Sequence, residues 1–338
     1  MKSYRWLMLS LASLLSVATL SSRVQGEEVR FTLDWLPYSA HAGFYAAQER
    51  GVYRENGLAV KIERGIGSGD TVKKVAGGGS EYGFADAGAL VVALAQGAKA
   101  KMLAVLFDKS MYTILSLKGN GIAKPKDLEG RRLGSPIGAA PRVLFPAFAA
   151  ASGVDAAKVE MVNVTPAAAI PSLLAGKVDA IGLFTISGAI LKMKAKAEGK
   201  EVTEILYSDY GIDIYSNGIV ASAGRVEKEQ DQVRRFVRGS VKGAAWAVEH
   251  PEEALAVFLK AHPSADKVLA RAQFKIAVDH LLTPTAMKEG ICHMTEEKAG
   301  TTIQTVLKYY GLKAQIRPSD FYTNKFLPRI IVKWPESL

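Results

Sequence analysis

Within Asp34-Trp35-Leu36-Pro37-Tyr38-Ser39-Ala40-His41 stand two large aromatic rings, a carboxylate and an imidazole. The segment falls between an alternating apolar run and a helical one, so it reads as a loop. Trp35 and Tyr38 have no evident core to join there, and their flat faces suit stacking on a planar ligand. His41 reads in two ways, as a donor to that ligand or as a helix-start residue. Gly67-Ser68-Gly69-Asp70-Thr71 lets backbone N–H groups approach a ligand, and the helix that follows favours negative charge at its start. The same residues are equally a glycine turn capped by Ser68 or Asp70. Ser135-Pro136-Ile137-Gly138-Ala139-Ala140-Pro141-Arg142 repeats the arrangement farther along. Its small side chains leave room, and Arg142 has the fork that grips a carboxylate with two parallel hydrogen bonds, unless it is a surface residue of the first helical turn. Phe184, at a strand end, is either the opposite wall of an aromatic sandwich or part of the core.

Covalent chemistry finds little footing. Neither a His/Cys or His/carboxylate metal spacing nor a Gly-x-Ser-x-Gly elbow occurs, and His250, His262, His280 and His293 are scattered through charged helical sequence as expected surface residues. Cys292 is the single cysteine, so no intrachain disulfide forms. A binding role without enzyme activity, cofactor or metal is the expectation.

The elements that must position these loops follow a strand–helix rhythm. Expected strands at 29–33, 60–63, 82–85 and 102–107 alternate with helices at 42–49, 72–77 and 88–96. That order predicts a largely parallel sheet covered on both faces. The rhythm restarts after Thr113–Leu117, with strands at 132–134, 159–164 and 180–184 and helices at 142–152 and 167–175. Val75-Ala76-Gly77-Gly78-Gly79-Ser80-Glu81-Tyr82-Gly83 and Leu174-Ala175-Gly176-Lys177-Val178-Asp179-Ala180-Ile181-Gly182 occupy matching places in the two runs. Two α/β lobes are therefore expected, 27–114 with 218–338 and 115–217. They are joined by two crossings near 114–118 and 215–219 that act as a hinge. The three loops described above sit at the C-terminal ends of strands, the edge where open α/β sheets bind ligands.

Lys2 and Arg5 precede an apolar stretch from Trp6 to Leu20, and Val24-Gln25-Gly26 follows with small residues. This is the layout of a secretory signal over 1–26, its core shorter than the roughly 20 residues that span a bilayer. With no lipid-attachment cysteine near it, the expectation is a soluble, unlipidated periplasmic protein that is monomeric. Removing Lys2, Arg5 and Arg23 with the signal lowers the formal charge of +10 by three. The remaining basic residues form no stripe with interleaved aromatics, so nucleic acid is not an expected partner.

The chain resembles the thiamine-precursor branch of periplasmic solute-binding proteins, which have relatives for nitrate, sulfonates, taurine and aromatic acids. The resemblance rests on Leu33-Asp34-Trp35, His41-Ala42-Gly43, Ala47-Gln48-Glu49-Arg50-Gly51-Val52-Tyr53, Gly67-Ser68-Gly69-Asp70, Gly83-Phe84-Ala85-Asp86-Ala87, Lys126-Asp127-Leu128-Glu129-Gly130 and Leu174–Ala180. It implies the periplasmic binding protein type II-like fold and a cleft lined by Trp35 and the Ser68, Asp86 and Gly138 loops. It also implies delivery of the ligand to an ABC permease and its ATPase. Tyr112, Ser135 and Ala139 complete the candidate set. The chain departs from pyrimidine-binding relatives at Tyr38, where they usually carry Asn, and at Phe184–Gly188, where they tend to carry Glu. A thiamine-precursor pyrimidine and an aromatic or other small carboxylate are thus both expected ligands, with sulfonate, nitrate or taurine as the alternative. Enzymes on related folds, a pyrimidine synthase needing an iron-binding cysteine cluster and a cytosolic dehydratase, fit neither the lone cysteine nor the export signal.

Overall fold

The computed structural model describes residues 26–137, 139–165 and 167–335. The expected signal lies outside them up to residue 25, as does the candidate residue Gly138. Ten strands form: β1 (Glu27–Thr32), β2 (Leu58–Glu63), β3 (Tyr82–Asp86), β4 (Ala100–Val105), β5 (Tyr112–Leu117), β6 (Arg132–Ser135), β7 (Glu160–Asn163), β8 (Ala180–Phe184), β9 (Val202–Leu206) and β10 (Asn217–Ser222). They make two sheets, ordered β2-β1-β3-β10-β4 and β7-β6-β8-β5-β9. In each, one strand runs against the other four, β10 in the first and β5 in the second. Both antiparallel strands adjoin a crossing. The chain enters each sheet there from the edge facing the other sheet, so it must run opposite to the strands that point toward that edge. The two expected α/β lobes with mostly parallel sheets are present, and the sheets share one plan.

The crossings run through 106–111 and 207–216. They therefore precede the expected positions: 112–114 belong to the second sheet, and Asn217 to the first. Leu106, Phe107 and Met111 are as buried as the strands beside them, so apolar pattern alone does not mark where the sheet ends. Two helical runs are each divided. The expected 142–152 helix becomes Ala140–Val143 and Phe145–Ser152, because Pro146 has no N–H to return to the carbonyl four residues back. The amphipathic run at 226–248 is shared between Ala223–Lys228 and Gln230–Glu249.

The helix Ala42–Glu49, which carries the aromatic loop on its N-terminal end, packs directly on Gln230–Glu249. Contact occurs at Gly43 and Gly243, where a Cβ on Gly43 would lie 2.8 Å from the Ala244 Cα and one on Gly243 only 2.3 Å from the Gly43 carbonyl. Phe31 meets Phe44 and Phe236 edge-on beside this contact. A second apolar cluster draws Met102 and Val105 from the first sheet and Ile114 and Leu133 from the second. Ile303 of the helix Glu296–Tyr309 joins it, so the lobes share buried apolar surface beside the crossings.

Candidate functional site

After β1 and β2 the chain forms two loops that are tied together. Leu33 N–H donates to the Glu63 carbonyl at 2.8 Å, and Gly65 N–H donates to the Trp35 carbonyl at 3.0 Å. A Cβ at Gly65 would stand 1.9 Å from the Leu33 carbonyl oxygen, so only glycine allows this approach. Trp35 is left 47% exposed with Leu36 beside it, and Ile66 reaches 68%. In the other lobe, Ile137 on the loop after β6 is 75% exposed. Half of the large apolar side chains exposed among the described residues thus sit on loops at the C-terminal ends of β1, β2 and β6. Scattered exposed apolar residues need no explanation, whereas these four stand at the strand ends of both sheets, the edges where open α/β folds bind ligands.

The two edges meet through a buried polar chain. Asp34 accepts from the Tyr38 hydroxyl at 3.2 Å and from Asn217 Nδ2 at 2.8 Å, while its other oxygen lies 2.9 Å from His41 Nε2. The His41 Nδ1 atom faces the Tyr38 N–H at 3.4 Å, which places the ring proton on Nε2, toward Asp34. Ser216 Oγ stands 3.1 Å from Asn217 Oδ1 and 3.4 Å from Asp86 Oδ2. Asp86, on the last position of β3, caps the helix Ala87–Ala95 by accepting from Ala89 N–H at 3.1 Å. It also accepts from the Tyr112 hydroxyl at 3.3 Å, and its own N–H donates to Ser68 Oγ at 3.0 Å. Tyr112 opens β5 in the second lobe, so this bond spans the lobes.

Burial dominates the electrostatics. It raises the Asp86 carboxyl to about 6, against the opposing pull of the Ala89 N–H, the Tyr112 hydroxyl, the Gly88 N–H and Ser216. The Tyr38 and Tyr112 phenols are held well above the ordinary range by burial first, then by Asp34 and Asp86 respectively. A folded-state value near 6 against ~3.9 in the unfolded chain corresponds to about 3 kcal/mol. The folded state binds the proton more tightly, so Asp86 costs least below pH ~4, its penalty grows from there to about 6, and above that it is fully present. Replacing Asp86 by Asn is therefore expected to stabilise the protein relative to wild type increasingly between pH 4 and 7. Urea unfolding at each pH measures it, and a constant difference across that range would refute it.

Several expected site residues turn out to be supports. Tyr38 does find a core: its ring lies 4.0 Å from that of His41 and packs on the apolar cluster. His41 is fully buried within the turn Ser39–His41, with its Nε2 turned to Asp34, so in this arrangement it positions that carboxylate. Tyr112 and Ser135 are also buried; the Ser135 hydroxyl donates to the Gly182 carbonyl at 3.3 Å and joins β6 to β8. His280 is buried against the Ile276 carbonyl, because its helix turns that face inward, where a surface position was expected. Trp35 is exposed, and Ser68, Ala139, Arg142 and Phe184 are half-buried. Arg142 Nη1 donates to the Ser135 carbonyl at 2.8 Å, and among the described residues no carboxylate pairs with it. Phe184 meets Tyr112 edge-on at 5.3 Å and packs on both apolar clusters. Asp34, Ser216 and Asn217 join this chain without standing among the candidates; the signal for the last two is a polar pair set between apolar Ile214-Tyr215 and Ile219-Val220. A groove of about 460 Å³ between Phe145–Ser152 and Glu296–Tyr309 is lined by none of the candidate residues.

Comparison with known proteins places this geometry among relatives. A family described as NMT1/THI5 like matches residues 38–254. A formylaminopyrimidine-binding protein of Halalkalibacterium halodurans is 25% identical over 77% of this chain and 79% of its own length. The riboflavin-binding protein RibY of Chloroflexus aurantiacus is 22% identical over 89% and 86%. A Saccharomyces cerevisiae protein named as a 4-amino-5-hydroxymethyl-2-methylpyrimidine phosphate synthase is 21% identical over 92% and 89%. Among solved structures, the periplasmic aliphatic sulphonate binding protein SsuA of Escherichia coli shares the fold, with a TM-score of 0.68 at 16% identity over 84% of this chain and 87% of that one.

Proposed function

Because the chain belongs to the NMT1/THI5-like family, we propose that it is the solute-binding component of an ABC importer. It holds a small planar ligand between its two lobes and delivers it to the permease and its ATPase. The observation that carries this reading is the placement of Trp35, Leu36, Ile66 and Ile137, exposed on the strand-end loops of both lobes above a polar chain that links them. Exposed apolar faces supply the stacking surface, and Arg142 supplies a cation with donors to spare. A thiamine-precursor pyrimidine or an aromatic or other small carboxylate fits that pair of features. The names of the formylaminopyrimidine- and riboflavin-binding relatives, both of planar heterocycles, support the first. A sulfonate, nitrate or taurine is the alternative. Export to the periplasm by the N-terminal signal, a monomeric state and the lack of covalent catalysis belong to the same proposal. So do the site residues Trp35, Ser68, Ala139, Arg142 and Phe184.

A thermal-shift panel of pyrimidines, aromatic acids with their amides, sulfonates and nitrate tests the class. A true ligand at about 100 times its Kd adds ~2.7 kcal/mol of stability. Small-angle scattering on the best compound tests closure, which requires that compound to bind the closed arrangement more tightly. The expected result is stabilisation by a pyrimidine, or by an aromatic acid over its amide, together with a smaller radius of gyration. Saturation without compaction would sink the two-lobe capture.

A further inference from the structure

Lys298, in the first turn of the helix Glu296–Tyr309, touches both segments that cross between the lobes. Its Nζ lies 3.2 Å from Asp108 Oδ1 on the first crossing. On the second crossing it donates to the two carboxylate oxygens of Asp213 at 3.0 and 2.9 Å. Its ammonium also stands 5.3 Å from the centre of the Tyr215 ring. Asp108 is buried, its second oxygen accepts from the Thr283 hydroxyl, and its N–H donates to the His280 carbonyl at 2.9 Å. The helix holds the second crossing by neutral bonds as well. Thr295 N–H donates to the Tyr215 hydroxyl oxygen at 2.7 Å, and Tyr215 N–H donates to Thr302 Oγ1 at 3.1 Å.

We infer that Lys298 is the positioning residue of the hinge: the Ser216 N–H bond to the Phe107 carbonyl at 3.0 Å ties the crossings at one point, and the Lys298 ammonium clamps them at a second, between Asp108 and Asp213, so that the lobes move along one bending path. A tie at one point alone would also let the lobes twist and shear. With both carboxylates on one ammonium, such motion pulls a buried charge from its counter-ion, which is costly at low dielectric. Bending that carries both crossings together leaves the pairs intact. This rests on the reading that the lobes close on a ligand, and it adds the element that directs the closing.

The test measures interlobe distances without ligand, using paired labels on cysteines introduced at the exposed positions Glu49 and Lys158. Pulsed electron resonance on wild type should give one narrow distribution. The double variant Asp108→Asn/Lys298→Met removes both charges at once, so no buried carboxylate is orphaned. It is expected to raise the population of a second interlobe distance by about tenfold or more. Asp213→Asn severs only the exposed arm, keeps the fold secure, and should broaden the distribution to an intermediate degree. Unchanged distributions in Asp213→Asn and in the folded double variant overturn the inference. Adding the compound identified by the thermal-shift panel to wild type separates the two ideas. Wild-type distances that stay put at saturation would refute the closing reading alone, whereas variants that match wild type without ligand would refute the pin alone.

Discussion

Replacing Trp35 by alanine is expected to weaken ligand binding by about thirty-fold or more, in line with the ~2 kcal/mol or greater typical of a central aromatic anchor. Folding should be untouched. The indole is about half exposed and makes no ring contact with another aromatic among the described residues, so little core packing is lost with it. Its loop keeps its shape through the Gly65 N–H bond to the Trp35 carbonyl, a backbone contact that the substitution spares. Trp35→Phe keeps a flat face and should recover much of the loss. Isothermal titration with the best compound of the panel, beside a thermal melt of each variant, reads both quantities. Equal affinity in wild type and Trp35→Ala would remove Trp35 as a stacking surface.

Asp34→Ala is expected to act in the opposite sense, on stability first. The carboxylate receives the Tyr38 hydroxyl, the Asn217 amide and the His41 Nε2 proton, and His41 has no exposed surface through which water could replace it. Truncation strands three donors at once, at a cost of ~1–3 kcal/mol for each buried one left unpaired. Partial relaxation and water entry reduce the sum, leaving an expected loss of about 3–5 kcal/mol. Asp34→Asn keeps one acceptor oxygen but turns an amide toward a donor, and should fall between alanine and wild type. Urea unfolding monitored at the tryptophans gives the ordering. A loss below ~1 kcal/mol in Asp34→Ala would show that the chain of polar residues does not hold the site.

Much of the architecture was legible in the amino-acid sequence, for reasons of periodicity. Alternation in Val60-Lys61-Ile62-Glu63 and the glycine-bounded helix at 42–49 depend on neighbours in the chain, and both elements stand where expected. The matched runs around Gly77 and Gly176 announced two lobes of one plan, and the two sheets carry the same strand order with the same antiparallel place. The exposure of Trp35 agrees with its loop position, whereas Tyr38, three residues on in the same loop, packs on the core.

What only the tertiary structure decided is the division between the groups that face outward and those that hold them. Tyr38, His41 and Tyr112 have the residue types of ligand contacts, yet Asp34 engages the first two and Asp86 the third, and Asp34 is itself held by Asn217, 183 residues away. A side chain's burial depends on which distant segment lies over it, and local sequence does not encode that. The same holds for Lys298, one lysine among the 43 basic residues until the fold sets Asp108 and Asp213 against it from two different crossings. Spacing along the chain selected the loops; long-range packing selected which of their atoms remain free to meet a ligand, because desolvation and hydrogen-bond satisfaction are settled in three dimensions.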